Sequence, residues 1–188
     1  MSTPYERAFD LTGLDQQLAA YFTSGRLGRG EGTFDVVGTP RRWLWPVLWV
    51  LGRQGVVFPH WGAARFTVTN RPVDAALTAV RTFHFDSGDR SMVDRMSVEG
   101  GELYDELGIN RRYRARLAAR VADGALELWS TAVTMRLGRL HLPLPARVAL
   151  TERWDAASDR QHVSVVITAP VIGRVYEYSG FFTYRVDS

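Results

Sequence analysis

The sequence predicts a mainly β protein: an antiparallel up-and-down β-barrel of about eight to ten strands behind two N-terminal helices, one capping the barrel. Three observations carry this. From Ala64 to Val186 apolar and polar residues alternate with period two, the mark of strands with one buried face. Turn residues recur about every ten positions along that stretch. A meander of that many strands must curl or close, because an open sheet leaves unpaired edges. A helix-grip cup is the competing architecture; it normally needs a long C-terminal helix, and this chain ends on a strand pattern.

Each element has its own reason. Segment 11–24 places Leu11, Leu14, Leu18, Tyr21 and Phe22 at spacings of three and four and stops at Ser24-Gly25, which predicts an amphipathic helix. Gly28 to Gly32 reads as a flexible turn before a short strand over 33–37. Segment 41–51 predicts a second helix, Arg41-Arg42-Trp43-Leu44-Trp45-Pro46-Val47-Leu48-Trp49-Val50-Leu51, with three of the six tryptophans of the chain. It is apolar all round, so protein, lipid or an apolar ligand must cover it. The meander, 64–186, then runs through strands at 65–70, 76–85, 91–98, 102–107, 112–122, 125–137, 139–142, 146–154, 161–169 and 174–186. Turns fall at Arg71-Pro72, 86–89, Gly100-Gly101, Asp123-Gly124, 143–145, 156–159 and 170–173. Asp123-Gly124 is a two-residue hairpin signal. No linker or repeat divides residues 1–188, which read as one domain.

Composition removes several functions. The 188 residues contain no Cys, which excludes thiolate catalysis and thiolate metal sites and fits a reducing cytoplasm. All 23 basic residues are Arg, and the net charge is +3. The N-terminus has no apolar run behind its early Arg, so it does not read as a secretory signal. The apolar run 43–51 is about half the length that crosses a bilayer. His60, His84, His141 and His162 are isolated and no metal site is expected; no G-x-S-x-G surrounds a serine. The glycines of 28–32 precede a strand, whereas a dinucleotide loop follows one and opens a helix.

Alternation breaks at informative places. Arg81 lies among Leu77, Ala79, Phe83 and Phe85 on one strand, and Asp94 among Met92, Met96 and Val98 on the next. Two inward charges on neighbouring strands predict an ion pair, because a buried charge without a partner costs several kcal/mol. Glu152 shares a face with Val148, Leu150 and Trp154, where burial would raise its pKa and fit it for acid–base work. The last strand puts Tyr176, Tyr178, Phe182 and Tyr184 on one face, and buried hydroxyls need partners. Arg112, Arg114, Arg116 and Arg120 stripe the opposite face from Tyr113, Ala115 and Leu117. They read as a solvated wall, since no aromatic stands beside them to stack bases.

The C-terminal half resembles a known family. Leu142-Pro143-Leu144-Pro145, then Pro170-Val-Ile-Gly173 and Tyr178-Ser-Gly180, follow Gly32 to Val36 (G-x-x-x-V), Arg81-Thr-Phe83 (R-x-F) and Glu106-Leu-Gly108 (E-x-G). This order is similar to that of the uncharacterised bacterial family called domain of unknown function 4166, over about residues 28 to 186. Ala169 stands where the family usually has His, and 41–43 is more aromatic. The resemblance implies a shared fold and no established activity.

A small barrel of this kind, as in lipocalins, fills its interior or holds one small ligand. The expectation is a lipophilic small molecule in a lumen lined by Phe83, Met92, Met96, Trp129, Trp154 and Tyr176, with Trp43, Trp45 and Trp49 at its cap. Arg81, Asp94, Glu152 and Tyr178 are the expected catalytic groups of a cofactor-free cyclase or isomerase of the polyketide type, which would work by orienting a substrate and polarising a carbonyl. A non-catalytic carrier of lipid or another hydrophobic ligand, or a membrane-surface module, is the alternative. No nucleic acid and no cofactor are expected; a homodimer is compatible with the sequence.

Overall fold

A computed structural model describes residues 2–187. Two short helices lead the chain. Thr3 caps α1 (Pro4–Ala8) in a reciprocal capping box with Glu6, and Pro4 supplies the preset φ of a first turn. Asp15 caps α2 (Gln16–Thr23), accepting from the Gln17 N–H at 2.8 Å. The helix expected over 11–24 is thus confined to its second half, because Gly13 turns left-handed at φ 86°. Leu11 and Leu14 still pack on the core from that turn. The five-residue α1 is too short to show periodicity in sequence.

The strands are β1 (Gly28–Gly38), β2 (Trp61–Val73), β3 (Ala76–His84), β4 (Arg90–Glu99), β5 (Glu102–Leu107), β6 (Tyr113–Ala122), β7 (Ala125–Leu137), β8 (Leu140–Pro143), β9 (Arg147–Asp155), β10 (Arg160–Ala169) and β11 (Gly173–Val186). Ten of them close an antiparallel barrel, in the order β1-β2-β3-β4-β5-β6-β7-β9-β10-β11 and back to β1. The extra strand β8 pairs with Thr134–Leu137 of β7, while β9 pairs with Leu126–Trp129 on the same edge. β8 and β9 are therefore one barrel stave broken by Pro143 and Pro145, which supply no N–H to a ladder. Ser130 Oγ bridges the break by accepting from the Val148 N–H at 2.9 Å.

Two expectations change. Gly28 to Gly32 is strand, not turn: its glycines face inward, so they carry no apolar signal, and the β11 aromatics lie over them. A Cβ on Gly28 would meet the Tyr184 hydroxyl, and one on Gly32 would meet the Phe181 carbonyl and Phe182 Cα. Strand β2 also runs through Arg71-Pro72 to turn at Asp74-Ala75. It does so because β1 stops pairing at Asn70, so no neighbour on that side needs a Pro72 donor.

The two barrel ends differ. Where β2–β3, β4–β5, β6–β7 and β9–β10 turn, α1 packs on β4 and β5, and α2 on β11 and β9. Tyr5, Leu18, Tyr21 and Phe22 fill that mouth. At the opposite end a 3-10 turn (Arg42–Leu44) leads into α3 (Trp45–Arg53), with Pro46 in the first turn, where it interrupts nothing. Leu44 and Leu48 are buried, and Phe58 follows them into the mouth against Phe83 (5.5 Å) and Tyr176 (5.9 Å). The second helix is a cap, as expected.

Candidate functional site: a lumen with one cation and three carboxyls

The lumen has two unlike halves. Along β1, β2, β3 and β11, aromatic rings fill it in chained contacts: Phe34 with Phe66 (4.3 Å between centroids), Phe66 with Phe83 (5.3 Å), Phe83 with Tyr178 (5.8 Å). Across from them the residues of β6, β7, β9 and β10 that line the cavity are aliphatic and smaller. They leave a cavity of about 70 Å³ walled by Met92, Met96, Leu117, Leu150, Val165 and Ile167. Arg81, Asp94, Asp105 and Tyr178 form its polar side.

Register explains how the charges meet. Ala79 stands opposite Asp94, and Arg81 opposite Met92, so Arg81 and Asp94 are diagonal neighbours on the inner face. They form an ion pair, both side chains nearly out of solvent. Met96 stands opposite Asp105, which brings a second carboxyl in from β5. On the far wall Glu152 accepts a hydrogen bond from Gln161 Nε2 across β9 and β10. Asp94 Oδ2 and Asp105 Oδ1 are buried and have no hydrogen-bond partner in the protein.

One guanidinium cannot neutralise three buried carboxylates. Asp94 takes it, and the other two acids bind their protons more tightly than ordinary carboxyls do. Burial pushes Asp105 up to about 6, against the pull of Arg81 and with the push of Glu106. Burial likewise pushes Glu152 up to about 7, against Arg81 and the Gln161 hydrogen bond. Burial opposes the charge of Arg81, but Tyr21, Tyr178, Asp105 and Tyr5 around it hold its pKa above the ordinary value. Burial also raises Tyr178 and Tyr176, so their hydroxyls stay protonated and can donate.

The expected residues fall into three groups. Arg81, Asp94, Met92, Met96 and Tyr178 converge on the cavity. Phe83, Tyr176 and Glu152 are buried but lie outside its wall, and Trp154 is partly buried at the core edge. Trp43, Trp45, Trp49 and Trp129 are not in the lumen. On β7, Leu126 and Leu128 point in, so Trp129 points out and is 40% exposed. On α3 the barrel takes the Leu44–Leu48 face, leaving Trp43 61% and Trp49 52% exposed. Asp105 was missed, although Leu103-Tyr104-Asp105-Glu106-Leu107 shows the same break in alternation that marks Glu152. Gln161 and the plug residue Tyr5 carry no local signal, because only closure of the barrel brings them inside.

The Arg stripe of β6 is a wall of ion pairs, Arg114 with Glu99 at 2.5 Å, Arg116 with Glu102 at 3.2 Å and Arg120 with Glu127 at 2.7 Å. Among the described residues no three His, Asp or Glu side chains are placed to hold a metal ion, and no helix is long and apolar enough to cross a membrane.

Fold and site together define a closed ten-strand antiparallel barrel whose lumen carries ionisable groups beside a small apolar cavity. The chain belongs to the family Domain of unknown function (DUF4166), whose model matches residues 14–182. No curated protein and no solved structure matches it.

Proposed function

We propose that the barrel binds a lipophilic small molecule bearing a carbonyl in its lumen and acts on it as a cofactor-free isomerase or cyclase. The observation that carries this is the pairing of unlike carboxyls on the cavity wall: Asp94, paired with Arg81, and Asp105, whose pKa burial raises to about 6. Two acids in unlike environments, one beside a guanidinium and one with a raised pKa, divide the work of a base and an acid. Asp94 Oδ2 accepts a proton from the carbon next to the carbonyl while Asp105 donates one to its oxygen. The reverse transfers at another carbon complete an isomerisation with no net oxidation. Arg81 and the Tyr178 hydroxyl stabilise the negative oxygen while it lasts.

Glu152 lies off the cavity wall and feels the charge of Arg81. The cavity is far smaller than the few hundred Å³ of a drug-sized pocket, so a larger ligand enters by displacing Phe58 and the flexible Met92 and Met96. A carrier without chemistry is the second reading, favoured by the aliphatic character of most of the wall.

Native mass spectrometry of gently purified protein tests the binding, together with titration by the lumen probe N-phenyl-1-naphthylamine. A hydrophobic adduct, or probe binding that Leu128→Trp abolishes by filling the cavity, is the expected result. A ligand-free mass with probe binding indifferent to Leu128→Trp overturns it. With a bound molecule in hand, conversion lost in Asp105→Asn while binding persists separates enzyme from carrier.

A further inference from the structure

The barrel is electrically polar along its axis, and its basic end is also its greasiest. The connections at the α3 end, 39–60, 107–113, 136–147 and 168–174, hold nine arginines and no Asp or Glu. The acids at that end are Asp86 and Asp89 of the β3–β4 turn and Glu177, which pairs with Arg174 at 2.7 Å. The rest of the surface, the α1–α2 end above all, carries the excess of the chain's 20 acidic residues. Hydrogen bonds tie these connections into one face. Ile109 N–H donates to the Gln54 carbonyl at 2.8 Å, Arg41 Nε to the Arg174 carbonyl at 3.2 Å, and Arg136 Nη2 to the Asn110 carbonyl at 3.3 Å.

Apolar side chains stand out from the same face. Trp43, Trp45, Val47, Trp49 and Val50 form the outer side of the cap, whose inner side is already used by the barrel. The tips of neighbouring connections, Ile109, Val171, Leu137 and Leu140, are exposed as well. Arg53 lies flat on the Trp49 ring, 3.6 Å from its centroid. Large apolar side chains exposed together on one face mark a contact site. Indoles beside arginines, with no acid within 39–60, match the interfacial layer of a bilayer with anionic headgroups: rings sit at headgroup depth while guanidiniums meet phosphates.

We propose that this end of the barrel docks on an anionic phospholipid surface, with Trp43, Trp45 and Trp49 inserted and the surrounding arginines on the lipid phosphates. Docking here requires nothing of the lumen, and holds whether or not the cavity takes a ligand.

The test is co-sedimentation of the full chain with phosphatidylglycerol and phosphatidylcholine vesicles, with brominated acyl chains as a depth-sensitive quencher of indole fluorescence. Binding to the anionic vesicles should be at least about tenfold tighter and weaken as salt is raised, with quenching of the α3 indoles. Trp43→Ser with Trp49→Ser should lose about tenfold in affinity; so should Arg42→Glu with Arg139→Glu, by charge alone. Trp129→Ser removes a comparably exposed indole from the barrel wall and should change nothing; circular dichroism confirms that every variant is folded. Failure to bind either vesicle, equal binding to both, or sensitivity to Trp129→Ser but not to the α3 pair overturns the proposal. So does a dimer by light scattering whose α3 indoles are shielded from acrylamide, since a second copy would then be the occupant.

Discussion

Asp94 pairs with the single guanidinium of Arg81 from the neighbouring strand, and beside them burial raises the pKa of Asp105 to about 6. The three groups share one field, so none can be altered alone.

Asp94→Asn should therefore cost less than the removal of one partner from a buried ion pair, which is about 3–5 kcal/mol. Asp105, on the same cavity wall, can pair with Arg81 in its place. We expect a loss of about 2 kcal/mol and a fall of the Asp105 pKa from about 6 into the ordinary carboxylate range. Asp94→Asn with Asp105→Asn leaves Arg81 without a cavity-wall carboxylate and should exceed the sum of the singles by at least about 1 kcal/mol. Chemical denaturation of all four proteins at pH 7 measures this; additivity would show that the two acids do not share the cation.

Glu152 predicts a pH dependence of stability whose sign is set by its raised pKa. Its ordinary value is 4.5 and its folded value about 7, so between those limits the native state keeps a proton that the unfolded chain has released. Stability must fall as pH rises through this window, by about 3 kcal/mol for this group. Glu152→Gln removes the titration while leaving Gln161 an amide oxygen to donate to. The variant should match the parent at pH 4 and exceed it by up to about 3 kcal/mol at pH 8. Asp105 adds its own slope to both proteins and cancels in the difference. Equal stabilities at both pH values would sink the assignment of a buried, protonated Glu152.

The barrel was legible because its signal is local and repeated. Nine strands from β3 onward fall within one or two residues of where alternation and turn chemistry place them, and Asp123-Gly124 takes the positive φ pair of the expected hairpin. The pairing of Arg81 with Asp94 was legible for the same reason, as two breaks in alternation on adjacent strands. Long-range contacts were not. Strand β1 hides behind glycines whose apolar partners are the β11 aromatics, and the outward aim of Trp43 and Trp49 depends on which side of an all-apolar helix meets the barrel. Trp129 was misplaced against its own parity, since aromatic character outweighed its position opposite Leu126 and Leu128.

The glycines of β1 give a sharp steric prediction. A methyl at Gly32 would stand 2.0 Å from the Phe181 carbonyl oxygen and 2.5 Å from Phe182 Cα, both backbone atoms that cannot step aside. Gly32→Ala should destabilise by about 3 kcal/mol and weaken the β1–β11 seam that closes the barrel. Gly101→Ala is the control: no atom lies within 4 Å of the new methyl and only its φ of 82° is unfavourable, worth about 1–2 kcal/mol. Thermal melts rank the two, and amide exchange on β11 reports the seam. Equal costs would mean that the glycines serve chain flexibility rather than close approach.

The plug at the acidic end is expected to set the titration of Glu152 from a distance. Thr3 Oγ1 donates to the Phe22 carbonyl at 2.6 Å while accepting from the Glu6 N–H at 3.3 Å, so one buried hydroxyl both caps α1 and ties it to α2. Tyr5, held by that tie with its ring edge-on to Phe22 at 5.0 Å, lies close enough to Glu152 to feel its charge. Thr3→Ala loses a cap worth about 1 kcal/mol and leaves the Phe22 carbonyl without a donor, for a combined loss of about 2 kcal/mol. It should also let water reach the inner end of β9, since the high pKa of Glu152 comes first from burial. The Glu152 carboxyl, followed by carbon NMR, should then titrate below 7 toward 4.5. Thr3→Ser, which keeps the hydroxyl, should restore the parent value. A Thr3→Ala protein that melts lower yet titrates unchanged would mean that the strands alone, without α1 and α2, keep Glu152 dry.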